Sequence, residues 1–491
     1  MISNGDGING QGRNFASNNV EVKDYINKLA YKYGVFTFEF KNKTINVDGA
    51  QTALTDMYFV HYKLNAGPKY AFYSLILPGW GSSKVSSGSI FCCVVGENVD
   101  GHEFALQALE QGAAYAIVDE PVDASEQLQK RILLVEDVLT SLQAIAKFHR
   151  AQFNIPFIAI TGSNGKTTTK ELIHTVLSKK YNTIATIGNL NNHIGVPLTL
   201  LRLTKETEIG IIEMGANHQK EIEFLCEIAE PDFGYITNFG KAHLEGFGGV
   251  EGVIKGKSEM YNFLQSNKKL VFVNLDDIIQ EEKTKLLNRY TFSKEKEANI
   301  KIDSIEASPM VKISFENTTI QSHLIGLYNA NNINAAITIG KYFEVPNNQI
   351  KEAIENYIPE NNRSQLIKKG TNEIILDAYN ANPSSMQVAI ENFKQLNHNN
   401  KIAILGDMFE LGKESLEEHK KTVALLKGES NIKIYFIGMD FYTNKIKESN
   451  IHFFEDFKSF STYLKSIQTT DSLILIKGSR GMALERTLEI L

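Results

Sequence analysis

The sequence predicts an α/β protein of about three domains, organised around a central, doubly wound, mostly parallel sheet. Three observations predict it. The 491 residues exceed what one hydrophobic core holds, which calls for about three domains of ordinary size. The apolar run Ile158-Ala-Ile-Thr161 passes straight into Gly162-Ser163-Asn164-Gly165-Lys166-Thr167-Thr168, which reads as strand, turn and helix start. Apolar strands then alternate with helical patterns in two series, the signature of parallel sheets joined by crossover helices.

Residues 1–20 hold Gly5, Gly7, Gly10 and Gly12 among Asn and Ser, so we expect them to be disordered; Asp6 alone is too few acids for a calcium loop. Residues 21–150 form a small mixed first domain, with a strand at Ile90 to Val95, a helix near 103–111 and a strand at Ala114 to Val118. The central domain, 151–325, has strands at Phe157 to Thr161, Ile209 to Met214, Tyr235 to Asn238 and Leu270 to Asn274, with helices at 168–179 and 218–229. Residues 299–325 read as short strands added to that sheet. The third domain, 326–491, opens with a helix at Asn329 to Tyr342. Its strands are Ile374 to Asp377, Ile402 to Leu405, Ile434 to Ile437 and Leu473 to Ile476, a Rossmann-like series. It lacks a Gly-x-Gly-x-x-Gly fingerprint, so no dinucleotide is assigned to it.

A net charge of -6 and a pI near 6.1, with no basic run interleaved with aromatics, argue against a nucleic-acid partner. No apolar stretch approaches the length of a membrane span, and Met1 to Asn19 lacks the apolar core of a signal peptide, so a cytoplasmic protein is expected. Cys92, Cys93 and Cys226 have no metal spacing and read as buried small hydrophobes.

The turn at 162–167 carries the chemistry. Glycines let successive N–H groups point at phosphate oxygens, Lys166 adds a charge near the outer phosphates, and the Thr167 hydroxyl suits Mg²⁺. The P-loop is shortened, because the position of its early glycine is Ile160, inside the strand. Downstream, Glu213 ends a strand at the edge where such sheets bind ligands, which makes it a candidate ligand for a hard cation. The next strand runs into Asn238-Phe-Gly-Lys-Ala-His243-Leu-Glu245-Gly, a glycine-rich loop with a histidine able to ligate a second ion, followed by Lys255-Gly-Lys257-Ser-Glu259.

Together, Thr161-Gly-x-Asn164-Gly165-Lys166-Thr167, Glu213-Met-Gly-Ala-Asn-His218, Asn238-x-x-x-Ala-His243-Leu-Glu245-Gly and Lys257-x-Glu259 resemble the Mur ligases of peptidoglycan synthesis. The resemblance continues through Gly326-Leu-Tyr328-Asn329-Ala-Asn-Asn332, Asn362-Arg363-Ser364, Asp377-Ala-Tyr379-Asn380-Ala-Asn382-Pro383, Gly406-Asp407-Met-x-Glu410-Leu-Gly412 and Lys477-Gly-Ser479-Arg480-Gly-Met, covering roughly 86–491. The last four motifs point to the member that adds D-alanyl-D-alanine to UDP-N-acetylmuramoyl-tripeptide.

The resemblance implies a role for each position. Thr161, Gly162, Ser163, Asn164, Gly165, Lys166, Thr167 and Thr168 would hold the ATP phosphates, Asn329 and Asn332 the adenine, and Asp377 the ribose. Arg363 would reach the phosphates on closure. Thr167 and Glu213 would serve one Mg²⁺ and His243 a second, with Lys257 carried as a carbamate that turns a cation into an anion able to neutralise the metal. Asn380, Asn382, Asp407, Glu410, Lys477, Ser479 and Arg480 would surround the acceptor and the tripeptide carboxylate; Asn382 stands where sister ligases have histidine. Ser82, Asp100 and His102 fall in the first, UDP-gripping domain. There the family begins with an Asp-Ser-Arg triplet, but the aligned residues are Gly81-Ser82-Ser83, and the first 75 or so residues match no part of the family pattern.

The implied reaction phosphorylates the tripeptide carboxylate with ATP, after which the D-Ala-D-Ala amine displaces phosphate, in a monomer whose closure hinges near 325–330 and 360–365. Lys166, Lys257, His243 and Arg363 are its expected catalytic residues. A folylpolyglutamate-type ligase would share the phosphate loop but not Asp377-Ala-Tyr-Asn-Ala-Asn-Pro. A non-catalytic homologue would fit only the departure at 81–83.

Overall fold

The computed structural model describes residues 13–14, 46–47, 61–64, 71–75, 88–96, 100–359 and 362–491. The expected disorder of residues 1–20, and Gly81-Ser82-Ser83, lie outside the described residues, apart from the pair Arg13–Asn14, which is antiparallel to Asn46–Val47. The chain packs as two compact units, one of residues 1–158, 182–214 and 224–231, the other of 159–181, 215–223 and 232–491.

The first unit carries a five-stranded sheet of His61–Leu64, Ala71–Leu75, Ile90–Cys92, Tyr115–Val118 and Ile132–Leu134, in that order. The last three strands run parallel and the first two antiparallel. Phe91, Cys93, Leu109, Val118 and Ile132 form its core. Cys92, Cys93 and Cys226 are buried thiols, as their apolar settings predict. The strand expected to run to Val95 stops at Cys92, because Val94 N–H turns back to the Cys92 carbonyl, leaving Val95 a lone bridge to Asp100. The same unit holds Thr183–Ala185 parallel to Ile209–Glu213, and the Gly210 N–H donates to the Pro156 carbonyl just before the strand Phe157–Thr161.

A buried arginine ties this unit together. Arg150, at the end of helix Val138–Arg150, donates from Nε to the Ala229 carbonyl at 2.8 Å, and from its terminal nitrogens to the Glu230 and Phe153 carbonyls at 2.9 and 3.1 Å. Its guanidinium lies 4.0 Å from the centre of the Phe157 ring.

In the second unit, Phe233–Ile236, Leu270–Asn274, Asn288–Ser293 and Ile300–Lys301 pair in parallel. The expectation that all of 299–325 extends this sheet needs correction. Only Ile300–Lys301 does; Ser304–Ala307, Met310–Phe315 and Thr318–Ile325 form a separate antiparallel sheet. The reason is a two-residue turn, Glu316-Asn317, with both residues at positive φ, which folds Phe315 onto Thr318 and makes an antiparallel hairpin obligatory.

The remaining sheet has six strands, in the order Gln365–Lys369, Asn372–Asp377, Leu473–Lys477, Lys401–Gly406, Ile432–Ile437 and Ile451–Phe454. Five run parallel. The first, absent like the last from the expected strands, is antiparallel because Gly370, at φ 60°, starts a tight turn back from Lys369 to Asn372. Ile374, Leu376, Ile404, Tyr435, Phe460, Ile474 and Ile476 fill its core.

Replacing Arg150 by Met keeps the stem but strands the carbonyls of buried Ala229 and Phe153 and of the exposed Glu230. We expect a loss of about 3 kcal/mol in urea unfolding followed by circular dichroism; a loss below about 0.5 kcal/mol would mean the carbonyls find other donors.

Candidate active site

The strand Phe157–Thr161 ends at Gly162, whose φ of 140° turns the chain under Thr237; a Cβ there would stand 2.0 Å from the Thr237 hydroxyl oxygen. The turn closes at Gly165, left-handed at φ 77°, which caps a helix beginning at Lys166 rather than Thr168. The first free N–H groups of that helix therefore belong to the loop residues themselves, an arrangement suited to phosphate. Thr161, Thr167 and Thr168 are buried, and the Lys166 ammonium lies over its own loop, donating to the Gly162 carbonyl at 2.7 Å and more weakly to Ser163.

Side chains fix the loop from beneath. The Asn164 carbonyl accepts from the Thr237 hydroxyl at 2.6 Å and from Asn238 Nδ2 at 3.0 Å, while the Asn164 N–H donates to Asn238 Oδ1. Ser163 donates its N–H to the Asn238 carbonyl and its hydroxyl to the Gly240 carbonyl. Neither Thr237 nor this use of Asn238 was foreseen from sequence, although Asn238 lay in a motif already singled out.

Asn329 and Asn332 are buried behind the phosphate helix. Asn332 Oδ1 accepts from the Thr169 hydroxyl, its Nδ2 donates to Asn329 Oδ1, and Asn329 Nδ2 donates to the Ile325 carbonyl. Asn332 Oδ1 also stands 2.6 Å from the point a Cβ on Gly165 would occupy. These amides brace the turn as a chain.

His243 caps the short helix Leu244–Phe247 in a left-handed conformation, with Nδ1 against a carboxylate oxygen of Glu410. That contact holds the Glu410 carboxyl below the ordinary range. Lys257, in helix Val250–Ser266, is fully buried: its ammonium donates to the Ala216 carbonyl at 3.2 Å and lies 5.0 Å from the Phe247 ring centre. Burial, with repulsion from Lys166, pushes its pKa well below that of an ordinary lysine. Glu213, which belongs to the first unit, is buried, accepts from Asn191 Nδ2 at 2.8 Å, and has its N–H bonded to the Thr186 hydroxyl.

The residues expected near the acceptor, together with Asp377, expected at the ribose, and Arg363, expected at the phosphates, fall into two groups. Asp377 accepts from Lys477 at 2.6 Å and from the Ser364 N–H at 3.1 Å, and Lys477 also donates to the Asn380 carbonyl. Asn380 Oδ1 accepts from the Ala381 N–H. Asp407 caps the helix Met439–Thr443 through the Asp440 and Phe441 N–H groups; burial pushes its carboxyl up against that pull. Ser479 accepts the Phe409 N–H. Asn382 caps the helix Pro383–Gln395 and donates from Nδ2 to Asn164 Oδ1 at 2.7 Å, so a side chain placed with the acceptor reaches the phosphate loop. Arg363 and Arg480 differ from these. Both lie against one ring, Tyr379, at 3.8 and 5.9 Å from its centre; Arg480 also donates to Glu485 at 3.0 Å, and the buried Arg363 Nε has no hydrogen-bond partner among the described residues.

Asp407, His419 and Asp440 also cluster closely enough to suggest a cation. The His419 ring is spent, however, with Nδ1 on the Ser415 carbonyl and Nε2 accepting the Met408 N–H. In the first unit, His102 is bracketed by Asp100 at 2.6 Å and Asp119 at 3.0 Å. Ser82 lies outside the described residues.

A shortened phosphate loop braced by asparagines, followed by a mostly parallel sheet whose helix cap touches that loop, fits a nucleotide-dependent ligase class, and the family models agree. The Mur ligase middle domain matches residues 160–340, the Mur ligase glutamate ligase domain 362–480, and the Mur ligase catalytic domain 78–150. The chain belongs to the Mur ligase family. The UDP-N-acetylmuramoyl-tripeptide–D-alanyl-D-alanine ligase of Bacillus subtilis is 33% identical over 82% of this chain and 90% of its own length. The enzyme of the same name from Escherichia coli is 31% identical over 83% and 92%. Among solved structures, MurF from Acinetobacter baumannii superposes with a TM-score of 0.74 at 31% identity, covering 82% of this chain and 90% of that one. MurF from Thermotoga maritima, solved with ADP, has a TM-score of 0.72 at 28% identity, covering 84% and 95%.

Gly165→Ala places a Cβ against Asn332 and forces a left-handed alanine. We expect ADP affinity to fall about tenfold by titration calorimetry, with the thermal midpoint lowered by only about 3 °C; unchanged affinity would mean the turn relaxes freely.

Proposed function

We propose that this chain is the ATP-dependent ligase that joins D-alanyl-D-alanine to UDP-N-acetylmuramoyl-tripeptide in peptidoglycan precursor synthesis. The observation that carries the reading is the Asn382–Asn164 bond, which ties the helix cap of the acceptor-side sheet to the phosphate loop. An enzyme that phosphorylates one substrate and delivers a second to it needs that adjacency. The names of the relatives, each matched along most of its length, support the same substrates.

A carboxylate does not accept an amine unaided. The tripeptide carboxylate oxygen attacks the γ-phosphorus of ATP and the bond to ADP breaks, giving an acyl phosphate. The neutral dipeptide amine then adds to the acyl carbon, and the tetrahedral intermediate expels phosphate and loses a proton. The loop N–H groups and Lys166 bind the transferred phosphoryl and stabilise its charge, an electrostatic task that a preformed cradle performs well. Arg363, with its unpartnered buried Nε, is suited to the outer phosphates, and Arg480 to a substrate carboxylate. We assign Asn329, Asn332 and Asp377 to the nucleoside side, and Asn380, Asp407, Glu410, Lys477 and Ser479 to holding the acceptor site in shape.

The donor types suit Mg²⁺: in the second unit a buried Thr167 hydroxyl and His243, with Lys257 as an N-carboxylated group, and in the first unit, as the sequence resemblance implies, the buried Glu213 carboxylate. When bound, two ions would neutralise charge on the phosphates. A carbamate at Lys257 fits its setting, since the ammonium is buried beside Lys166 with only the Ala216 carbonyl as acceptor among the described residues. The amine adds to CO₂ and releases a proton, replacing a desolvated cation by an anion. We further propose three domains at 21–150, 151–325 and 326–491, a monomer, and a cytoplasmic location. No described helix is long and apolar enough to cross a membrane.

Phosphate release from ATP should require both UDP-muramoyl-tripeptide and D-Ala-D-Ala; nucleotide binding without turnover would sink the proposal. Protein equilibrated with ¹³C-bicarbonate should give a carbamate carbon signal that Lys257→Ala abolishes. That variant should lose at least about a hundredfold in kcat and recover part of it with a short carboxylic acid. Full activity without the acid would overturn the carbamate.

A further inference from the structure

The loop between strand Phe233–Ile236 and helix Val250–Ser266 is held from two sides. On one side lies the phosphate loop, bonded through Asn238 and Gly240. On the other lie elements of the six-stranded sheet's layer. The Lys241 N–H donates to the Ser384 hydroxyl at 2.6 Å, in the first turn of helix Pro383–Gln395. The Lys241 ammonium pairs with Glu418 at 2.9 Å, in helix Ser415–Leu426. Two residues on, His243 meets Glu410, and Gly412, at φ 54°, packs so closely on Glu245 that its Cβ would stand 3.1 Å from that side chain.

We propose that Lys241 and Glu418 are positioning residues: their ion pair clamps the His243 loop to the acceptor-side helices, so that docking of those helices sets the geometry of the phosphate loop. Glu418 is a carboxylate only 5% exposed, and a buried charge stays ionised only when its partners are fixed. Lys241 is the partner supplied by the nucleotide side. Lys421, in the same helix as Glu418, is the other at 3.0 Å. The division makes a test feasible, because removing Lys241 releases the loop while Glu418 keeps one cation and the helix keeps its fold. Ser163 and Asn164 lean on the same loop, so a loosened Lys241 reaches the phosphate loop through Gly240 and Asn238. Closure of the acceptor side and nucleotide affinity are thereby linked, each favouring the other by the same factor.

The inference rests on the ligase reading, and the experiment separates the two. In the full chain, Lys241→Met, Glu418→Gln and the double variant are compared by calorimetric ADP titration and by kcat and KM for each substrate. Each single variant should weaken ADP binding and lower kcat about fivefold, with KM for the UDP substrate unchanged. The double variant should be no worse than the poorer single one, the mark of residues acting as a pair. Lys241→Arg, which keeps the charge, should stay within about twofold of the parent. If Glu418→Gln does not fold, the Met and Arg variants decide. Equal behaviour of Met and Arg, or effects that multiply in the double variant, would overturn the clamp. A parent protein without ligation would overturn the ligase reading instead.

Discussion

The shape of the phosphate loop depends on a single constraint: residues 162–165 must turn the chain from strand into helix, so the polar groups that the turn leaves unpaired have to be held by its neighbours. Asn164 meets most of that demand. Its carbonyl is bonded by Thr237 and Asn238, its N–H by Asn238, and its side chain by Asn382. Gly162 and Gly165 sit at φ values that a side chain adopts only with strain, and their Cβ positions are already taken by Thr237 and Asn332. The cradle is rigid because its neighbours leave it no alternative, and a preformed cradle loses less to ordering when a phosphate arrives.

That economy explains why so many polar residues of the motifs are buried. Asp377, Lys477, Asp407, Ser479 and Asn382 spend their hydrogen bonds on strand ends, helix caps and one another. Buried polar groups must be satisfied, and here they satisfy each other, which fixes the strand ends from which substrate-facing groups project. Arg363 and Arg480 lie against Tyr379, Arg480 with one nitrogen on Glu485 and Arg363 with an Nε that has no partner among the described residues. The motif residues thus divide into a framework and a few working ends, a distinction that residue type alone does not reveal.

Much of this was legible in the sequence. Phe157 to Thr161 and Leu270 to Asn274 were read at their observed limits, and four of the five parallel strands of the C-terminal sheet within two residues, because runs of Ile, Leu and Val bounded by polar residues leave little choice of period; the fifth, Ile451–Phe454, was missed. The antiparallel sheet at 304–325 was misplaced, since its direction is set by Glu316-Asn317, two residues without the usual glycine of such a turn. Gln365–Lys369 was missed because its short apolar pair, Leu366-Ile367, is followed directly by Lys368-Lys369, which makes an edge strand look like loop. Lys241 and Glu418 could not have been paired, lying 177 positions apart with nothing in either motif to link them.

By itself, the sequence determined the order of elements, the phosphate loop and the family, because each is carried by residues close together in the chain, where backbone geometry and residue type decide the outcome. Only the tertiary structure decided which asparagines brace, that Asn382 touches Asn164, and that Glu410 and Glu418 grip the loop bearing His243. Those contacts join residues far apart in sequence. Their partners are chosen by burial and by the need of each buried polar group for a counterpart, and neither exists until the chain has folded.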